Sequence, residues 1–343
     1  MDNTQQTTTS TANKLTVVII GRNEEQFIGR SIESVLKAQS RIPGLEVIFA
    51  DSASTDCSIE IAKKYPIRIL QLKKEWPLCV AAGRYTGYLH SHGEYVFFQD
   101  GDSLAEADWL VQAVAFMDLH PEYGAVAGVL DEEYVDAQGK HGGGAPNVFD
   151  QDLTKTVCDC KNLGGIALYR RRAMELAGPV NPHLPTAEDH ELCMRIRNAG
   201  FRIARIEGRM AVKFTENRQT IREVLRRSRT KMYDYGAVIR HASVYGGALQ
   251  FCLDAIPFVL TFAATLVFFL VITLLAGYFG MLWVVLVLAG LLGLAQVIKK
   301  GGLHGAGLSM VVRSVSTYRT ILSYLRTRPK PIEDYPTDVI HVR

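Results

Sequence analysis

The sequence predicts an α/β domain built on a doubly wound, largely parallel sheet, followed by helices that associate with a membrane. Three observations carry this expectation. Apolar, β-branched runs alternate with apolar residues at helical spacing and short connections, the pattern of βαβ units. Three of the runs switch at once to polar residues, at Gly21-Arg22-Asn23-Glu24, at Asp51 and at Asp100-Gly101-Asp102. Later, residues 255–276 and 279–298 form uncharged apolar stretches of 22 and 20 residues, each matching the roughly 20 residues that a bilayer span needs.

Composition agrees with a chain of two characters. Of 343 residues, 48% are hydrophobic and 21% charged, and the mean hydropathy is +0.07. The net charge of +3 gives no global attraction to polyanions, so nucleic acid is not an expected partner. Six scattered cysteines with no Cys-x-x-Cys pair argue against a disulfide framework or zinc site and fit a reducing cytoplasm. Residues 1–13 are polar, with no apolar run, and read as a disordered tail rather than a signal peptide.

Residues 15–20, 45–50, 67–70 and 95–98 read as four buried strands. Ile28, Ile32, Val35 and Leu36 mark the first helix, Ile59, Ile61 and Ala62 a second, and 81–90 a third. The segment 51–56 reads as a turn with Asp56 as a helix cap. A sheet ordered 3-2-1-4 makes strands 1 and 4 neighbours at the reversal point, where ligands bind at the carboxyl ends. The three polar endings therefore converge on one crevice. Two carboxylates one residue apart at the end of a buried strand are costly unless a cation meets them, so Asp100 and Asp102 suggest a divalent-metal and nucleotide-sugar site. Gly101 would let backbone approach the ligand. Neither Gly-x-Gly-x-x-Gly nor a P-loop motif is present, which excludes those two modes of nucleotide binding. Further on, 107–120 reads as a helix, 123–130 and 163–169 as strands, and 186–200 as a helix capped by Thr186. The Gly-rich section 131–162 has no clear period.

From 217 to 241, seven Lys or Arg face only Glu223 and Asp234, with Ile221, Val224, Leu225, Met232 and Tyr235 at helical spacing. A basic amphipathic helix beside an apolar span reads as interfacial. Gly277-Tyr278 between the two spans permits only a tight turn, so the pair predicts a transmembrane hairpin. Residues 299–330 carry seven Lys or Arg and no acid, and the positive-inside rule places both flanks in the cytoplasm. Leu308, Val311, Val312, Val315, Tyr318, Leu322 and Leu325 share one helical face, a second interfacial helix. The expected organisation is a tail (1–13), a catalytic domain (14–216), a basic interfacial helix (217–250), the hairpin (251–298), and a second interfacial helix with a C-terminal tail (299–343).

Together, the 17–20 strand with Asn23-Glu24-Glu25, Asp51-Ser52-Ala53-Ser54-Thr55-Asp56, Gly83-Arg84-Tyr85-Thr86-Gly87, Asp100-Gly101-Asp102 and Glu188-Asp189 resemble the inverting nucleotide-sugar glycosyltransferases of glycosyltransferase family 2. The resemblance covers roughly residues 14–240. It implies a GT-A fold, a Rossmann-like mixed sheet, and a Mg²⁺ or Mn²⁺ cofactor held by Asp102. It further implies nucleotide contacts from Asp100, Asp51, Glu24 and Arg84, a catalytic base at Asp189 beside Glu188, and acceptor approach at Gly164 and Gly165. Many relatives carry a metal-binding His where this chain has Lys213, which could neutralise the diphosphate directly. The Gln-x-x-Arg-Trp signature of processive synthases is absent.

The expected function is inverting transfer of a sugar from a nucleotide-sugar donor to a hydroxyl of a membrane lipid-linked saccharide, in polysaccharide or glycolipid synthesis. Phospholipid is a further expected partner, and the expected location is the plasma membrane with a cytoplasmic catalytic domain. A polyprenyl-phosphate glycosyltransferase is the alternative enzyme. A non-catalytic membrane scaffold is the alternative of another class, opposed by the retained carboxylates.

Overall fold

The computed structural model describes residues 13–136, 141–215, 220–279, 282–300 and 302–343. Almost all of the expected N-terminal tail and Arg218 of the basic segment lie outside these residues. The chain divides into two units. One comprises residues 1–183, 192–216 and 332–343, and the other 184–191 and 217–331.

The first unit is a sheet covered by helices. Its first half runs β1 (Leu15–Gly21), α1 (Ile28–Leu36), β2 (Leu45–Asp51), α2 (Ser58–Ala62), β3 (Arg68–Gln71), α3 (Val80–Leu89) and β4 (Tyr95–Asp100). Then come β5 (Ser103–Ala105), α4 (Ala107–Leu119), β6 (Tyr123–Val135), β7 (His141–Ala145), β8 (Val157–Asp159), β9 (Ala167–Arg170), α5 (Arg171–Ala177), α6 (Glu188–Asn198) and β10 (Arg202–Thr215). The strand order β3-β2-β1-β4 is the one expected, and it continues through β9, β6 and β10 to β5. β1 is parallel to both β2 and β4, whereas β9 is antiparallel to β4 and β6, so the sheet is mixed. Val17, Val18 and Ile19 are fully buried, as are Tyr95, Val96 and Phe97, which is why these strands read as unbroken apolar runs.

Three local expectations change. Residues 163–166 are loop, and the strand begins only at Ala167. Gly164 has φ +76°, a conformation no strand residue adopts. Asp56 lies one residue before the N-cap position, held by Cys57, and its carboxylate accepts from the Ser58 amide (3.0 Å). Thr186 does not cap α6. Its hydroxyl donates to the Met232 carbonyl (3.2 Å), and the helix starts at Glu188 after Ala187 with φ +52°.

The chain's last segment holds the largest departure. Instead of trailing from the interfacial helix, it forms β11 (Ile340–His341), antiparallel to β3 at the sheet edge. Tyr335, 2% exposed, makes edge contacts with the rings of Trp76 and Tyr85 at 5.8 and 6.0 Å. Its hydroxyl donates to the Pro77 carbonyl (3.1 Å). The strand thereby covers backbone groups that an edge leaves open.

The second unit is helical: α7 (Ile221–Arg229), α8 (Tyr235–Val244), α9 (Ala248–Ala255), α10 (Pro257–Tyr278), α11 (Leu282–Lys299) and α12 (Leu303–Arg326). The expected single basic helix is thus broken, with Lys231 at φ +63° between α7 and α8. Thr220 caps α7 by accepting from the Glu223 amide (3.2 Å). Among the described residues, α10 is by itself long and apolar enough to cross a bilayer, with only 6% of that stretch buried. α11 qualifies together with α12, as a pair bent by 110°. α12 packs on α8 through small residues: a Cβ on Gly236 would meet the Thr320 carbonyl at 1.9 Å. Arg319 clamps Asp234 with two bonds of 2.7 Å. Ser316, Thr320 and Ser323 are buried, while Tyr318 and Leu325 of the expected apolar stripe are exposed.

Tyr335→Ala is expected to cost about 3–5 kcal/mol, the usual penalty for truncating a buried aromatic, against about 1 kcal/mol for Tyr335→Phe, which loses one hydrogen bond. Thermal unfolding of the purified variants checks this order; equal effects would mean that the ring does not anchor the C-terminal segment.

Candidate active site

Register places the site. Gly21 pairs with Asp51 and Ile20 with Asp100, so the ends of β2 and β4 flank the end of β1 at one level. A pocket of about 350 Å³ opens there, lined in part by Arg22, Glu24, Ser52, Asp100, Asp102 and Lys213.

The loops after β1 and β2 are stitched together, which accounts for two of the sequence motifs. Asn23, in the left-handed region at φ +60°, accepts from the Thr55 amide (2.8 Å), while its own amide donates to Ser54 Oγ (2.8 Å). The Glu24 amide donates to Ser58 Oγ (2.8 Å) and that of Glu25 to Asp56 (3.0 Å), and the Cys57 amide returns a bond to Glu25 (3.0 Å). Asp51 is fully buried, and its carboxylate accepts from the Ser54 amide and hydroxyl and from Gln71 Nε2. Its expected bond to a base therefore competes with three internal donors.

Asp100 is the electrostatic centre. Arg84 Nη2 donates to its Oδ1 (2.9 Å) and Lys213 Nζ to its Oδ2. Burial acts to raise the Asp100 carboxyl, but Lys213 and Arg84 outweigh it and hold the group below its usual value. β10 delivers the lysine: Lys213 pairs with Ser103 of β5, and the Phe214 amide donates to the Asp102 carbonyl (2.8 Å). Arg84 is 4% exposed and stands behind Asp100 rather than lining the pocket.

The glycines make room for these side chains. A Cβ on Gly165 would sit 2.5 Å from Arg84 Nη2, and one on Gly164 2.4 Å from the Phe149 ring. The side-chain directions at both glycines are therefore taken by internal contacts. A Cβ on Gly21 or Gly101 would meet Glu24 Cγ at 2.8 or 2.9 Å, so both glycines cradle the Glu24 stem.

Asp102 and Glu24 carry the unbalanced charge. Asp102 Oδ1 is buried and takes no hydrogen bond among the described residues, with Lys213 Nζ 3.4 Å away as its ion-pair partner. Burial raises the Asp102 carboxyl, and Asp100 adds to this against the pull of Lys213. Burial, then Asp102, push Glu24 up to about 8 despite Lys213. An orphaned buried carboxylate oxygen beside a second crowded carboxylate is the donor set of a magnesium-type ion, which takes one or two carboxylates and fills its shell with phosphate and water. The residues present fit such an ion. No group of three or more His, Cys, Asp or Glu poised around a metal occurs among the described residues.

In the second unit, the first turn of α6 presents Glu188, Asp189 and Glu191. The His190 amide donates to Asp189 Oδ1 (2.9 Å), and His190 Nδ1 lies 3.0 Å from the same oxygen. The Tyr245 hydroxyl donates to Glu191 (2.6 Å).

Sequence reasoning named Arg22 and Ser52 only within longer motifs, with no role of their own, and missed the start of α3, where Leu78, Cys79 and Val80 also line the pocket. Pro77 just ahead of an uncapped helix start was the available signal for the last three.

A mixed doubly wound sheet with paired acids at the end of its fourth strand, followed by helices, is a GT-A-like glycosyltransferase fold. Residues 16–176, just under half of the chain, match the family described as "Glycosyl transferase family 2". EpsE of Bacillus subtilis, named as a glycosyltransferase, is 33% identical over 119 residues, which is 33% of this chain and 41% of EpsE. The poly(ribitol-phosphate) beta-N-acetylglucosaminyltransferase TarS of Staphylococcus aureus is 30% identical over 111 residues, 31% of this chain and 19% of TarS. The match thus spans less than half the length of either relative. In fold, the chain is similar to the mannosyltransferase PcManGT from Pyrobaculum calidifontis, solved in complex with GDP-Man and Mn²⁺, with a TM-score of 0.58 and 21% identity over 92% of this chain and 88% of that one.

With a folded-state value of about 8 against an ordinary 4.5, Glu24 keeps a proton in the folded state that the unfolded chain has lost. Stability should therefore fall as pH rises across that window. Glu24→Gln removes this dependence, so the variant should melt at the parent's temperature near pH 4.5 and several degrees above it at pH 8 or higher. Parallel melting curves at all pH values would show that Glu24 is an ordinary acid.

Proposed function

We propose that the chain transfers a sugar, with inversion, from a nucleotide-sugar donor to a hydroxyl of a membrane lipid-linked saccharide in polysaccharide or glycolipid synthesis. The observation that carries this reading is the pocket at the ends of β1, β2 and β4, where Asp102, Glu24 and Lys213 combine ligands for a cation with a fixed positive charge. A sugar diphosphate matches that combination. The polymer-modifying activity in the name of TarS supports it at the level of the family.

Asp102 and Glu24 would hold the divalent ion, which supplies Lewis-acid neutralisation of the departing diphosphate. Lys213 adds a direct positive charge to the same leaving group. Arg84 acts from behind, fixing Asp100 so that Lys213 stays aimed at the pocket. Asp189 is the base. It takes the proton of the acceptor hydroxyl as that oxygen bonds to the anomeric carbon, and the nucleoside diphosphate leaves with the electrons of the broken bond. His190, 3.0 Å from Oδ1, orients the carboxylate. Asp51 then supports the base subsite by fixing Ser54 and Gln71.

The bare apolar surface of α10 supports a membrane setting, because a core helix of this composition would be covered. In this reading α10 and α11 form a hairpin in the plasma membrane, and the basic flanks keep the first unit cytoplasmic. α7 and α12 lie among anionic head groups.

Transfer from a panel of radiolabelled UDP- and GDP-sugars into a lipid extract tests the activity. Asp189→Asn is expected to lower kcat by about 10²–10⁴ with donor affinity unchanged. Full activity in that variant would instead favour a polyprenyl-phosphate acceptor, whose phosphate is already ionised. EDTA should abolish donor binding; binding unchanged in EDTA would assign the charge neutralisation to Lys213 alone. Labelling of the exposed Cys57 by a membrane-impermeant thiol reagent added outside sealed inverted vesicles is the expected topology result, and a Cys57 labelled only after the vesicles are opened would contradict it.

A further inference from the structure

The helical unit contains a second, larger cavity of about 990 Å³ between α10, α11 and α12. We propose that it holds the isoprenoid tail of a polyprenyl-diphosphate-linked acceptor, with Arg313 at the first phosphates. This rests on the lipid-linked acceptor reading above and gives that acceptor a place.

The cavity wall is apolar by construction. Phe262, Leu266 and Phe269 of α10 line it. Thr261 and Thr265 also line it, but their hydroxyls donate to the carbonyls of Phe258 (3.2 Å) and Thr261 (2.7 Å), so their donors are already used within the helix. Gly290, Gly293 and Gly307 complete the wall, and a Cβ added to any of them meets nothing within 4 Å. The space is therefore open where two helices have given up their side chains.

The polar elements that remain are Gln296 and Arg313. The Arg313 guanidinium donates to Ser309 Oγ at a long 3.5 Å and meets no carboxylate among the described residues, and the sequence from 299 to 330 contains no acid at all. An arginine beside an apolar cavity with no acid nearby matches an anionic head on an apolar tail, since guanidinium pairs phosphate oxygens with two parallel bonds. Position along the helices gives the membrane side. The lining residues 261–269 lie toward the start of α10 and 289–297 toward the end of α11. Both are the ends next to the basic flanks, so under the hairpin reading the cavity opens in the cytoplasmic leaflet. An acceptor lipid must present its saccharide on that side.

The test uses the full chain in lipid nanodiscs, with radiolabelled geranylgeranyl diphosphate as the probe and a UDP- or GDP-sugar as a separate binding measurement. Saturable probe binding is expected. Gly293→Phe should weaken it at least about tenfold by filling the cavity, and replacing a helical glycine carries no helix penalty. Arg313→Gln should weaken it about tenfold through loss of charge-assisted bonds. Both variants should bind nucleotide-sugar as the parent does. Unchanged probe binding in either variant overturns the site, as does equal displacement of the probe by dioleoyl phosphatidylglycerol, which would mark a bulk phospholipid groove. Nucleotide-sugar binding without probe binding overturns the lipid site and leaves the transferase reading intact. Probe binding without nucleotide-sugar binding does the reverse.

Discussion

The clasp on Asp100 is the constraint around which the catalytic unit is arranged. A mostly buried carboxylate at the end of β4 is held by Arg84 from α3 and Lys213 from β10, so one charged group ties together segments 16 and 113 residues apart in sequence. Removing either cation would leave the other alone against the clustered acids, the costly way to break such a cluster. The neighbouring backbone is shaped to the clasp. Gly165 gives up a side chain so that the guanidinium can reach Asp100, and β5 is a three-residue strand that holds β10 and hence Lys213 in register. The count of charges then sets the chemistry. Asp100, Asp102 and Glu24 face Arg84 and Lys213, so the cluster is one positive charge short of neutral. A proton on Glu24 can make up the difference, and so can an added cation.

Much of the catalytic unit could be read from the sequence, and the reason is local. Strands buried on both faces appear as apolar runs at any level of context, and the abrupt change to acid at 51 and 100 marks their carboxyl ends. What escaped depended on distant partners. Ile340 and His341 form a strand only because β3 offers an open edge, and two residues carry no period of their own. Thr186 fits a cap motif, yet its hydroxyl is claimed by the Met232 carbonyl, 46 residues away. Arg84 and the two glycines at 164 and 165 were each visible as separate motif residues. That the glycine serves the arginine is a matter of three-dimensional fit that no spacing encodes.

In the helical unit the same distinction separates composition from packing. The apolar stripe of α12 was legible, but the face it uses against α8 is the small, polar one of Ser316, Thr320 and Ser323, set against Gly236. Helices that approach through small residues can do so without an aqueous hydrophobic drive. Tyr318 and Leu325 are left pointing outward, the disposition a helix needs to lie in a head-group layer.

The return of the chain to β3 gives the molecule an order of events. Because the sheet unit resumes only after residue 331, its edge strand stays uncovered while the entire helical segment is being synthesised. The ribosome has therefore delivered the apolar helices before the segment carrying Tyr335 and β11 can close the edge. Domains begin to fold as they emerge, and an open strand edge is a point of mispairing until it is covered. The catalytic unit is thus completed last at its rim, after the whole helical segment has been made.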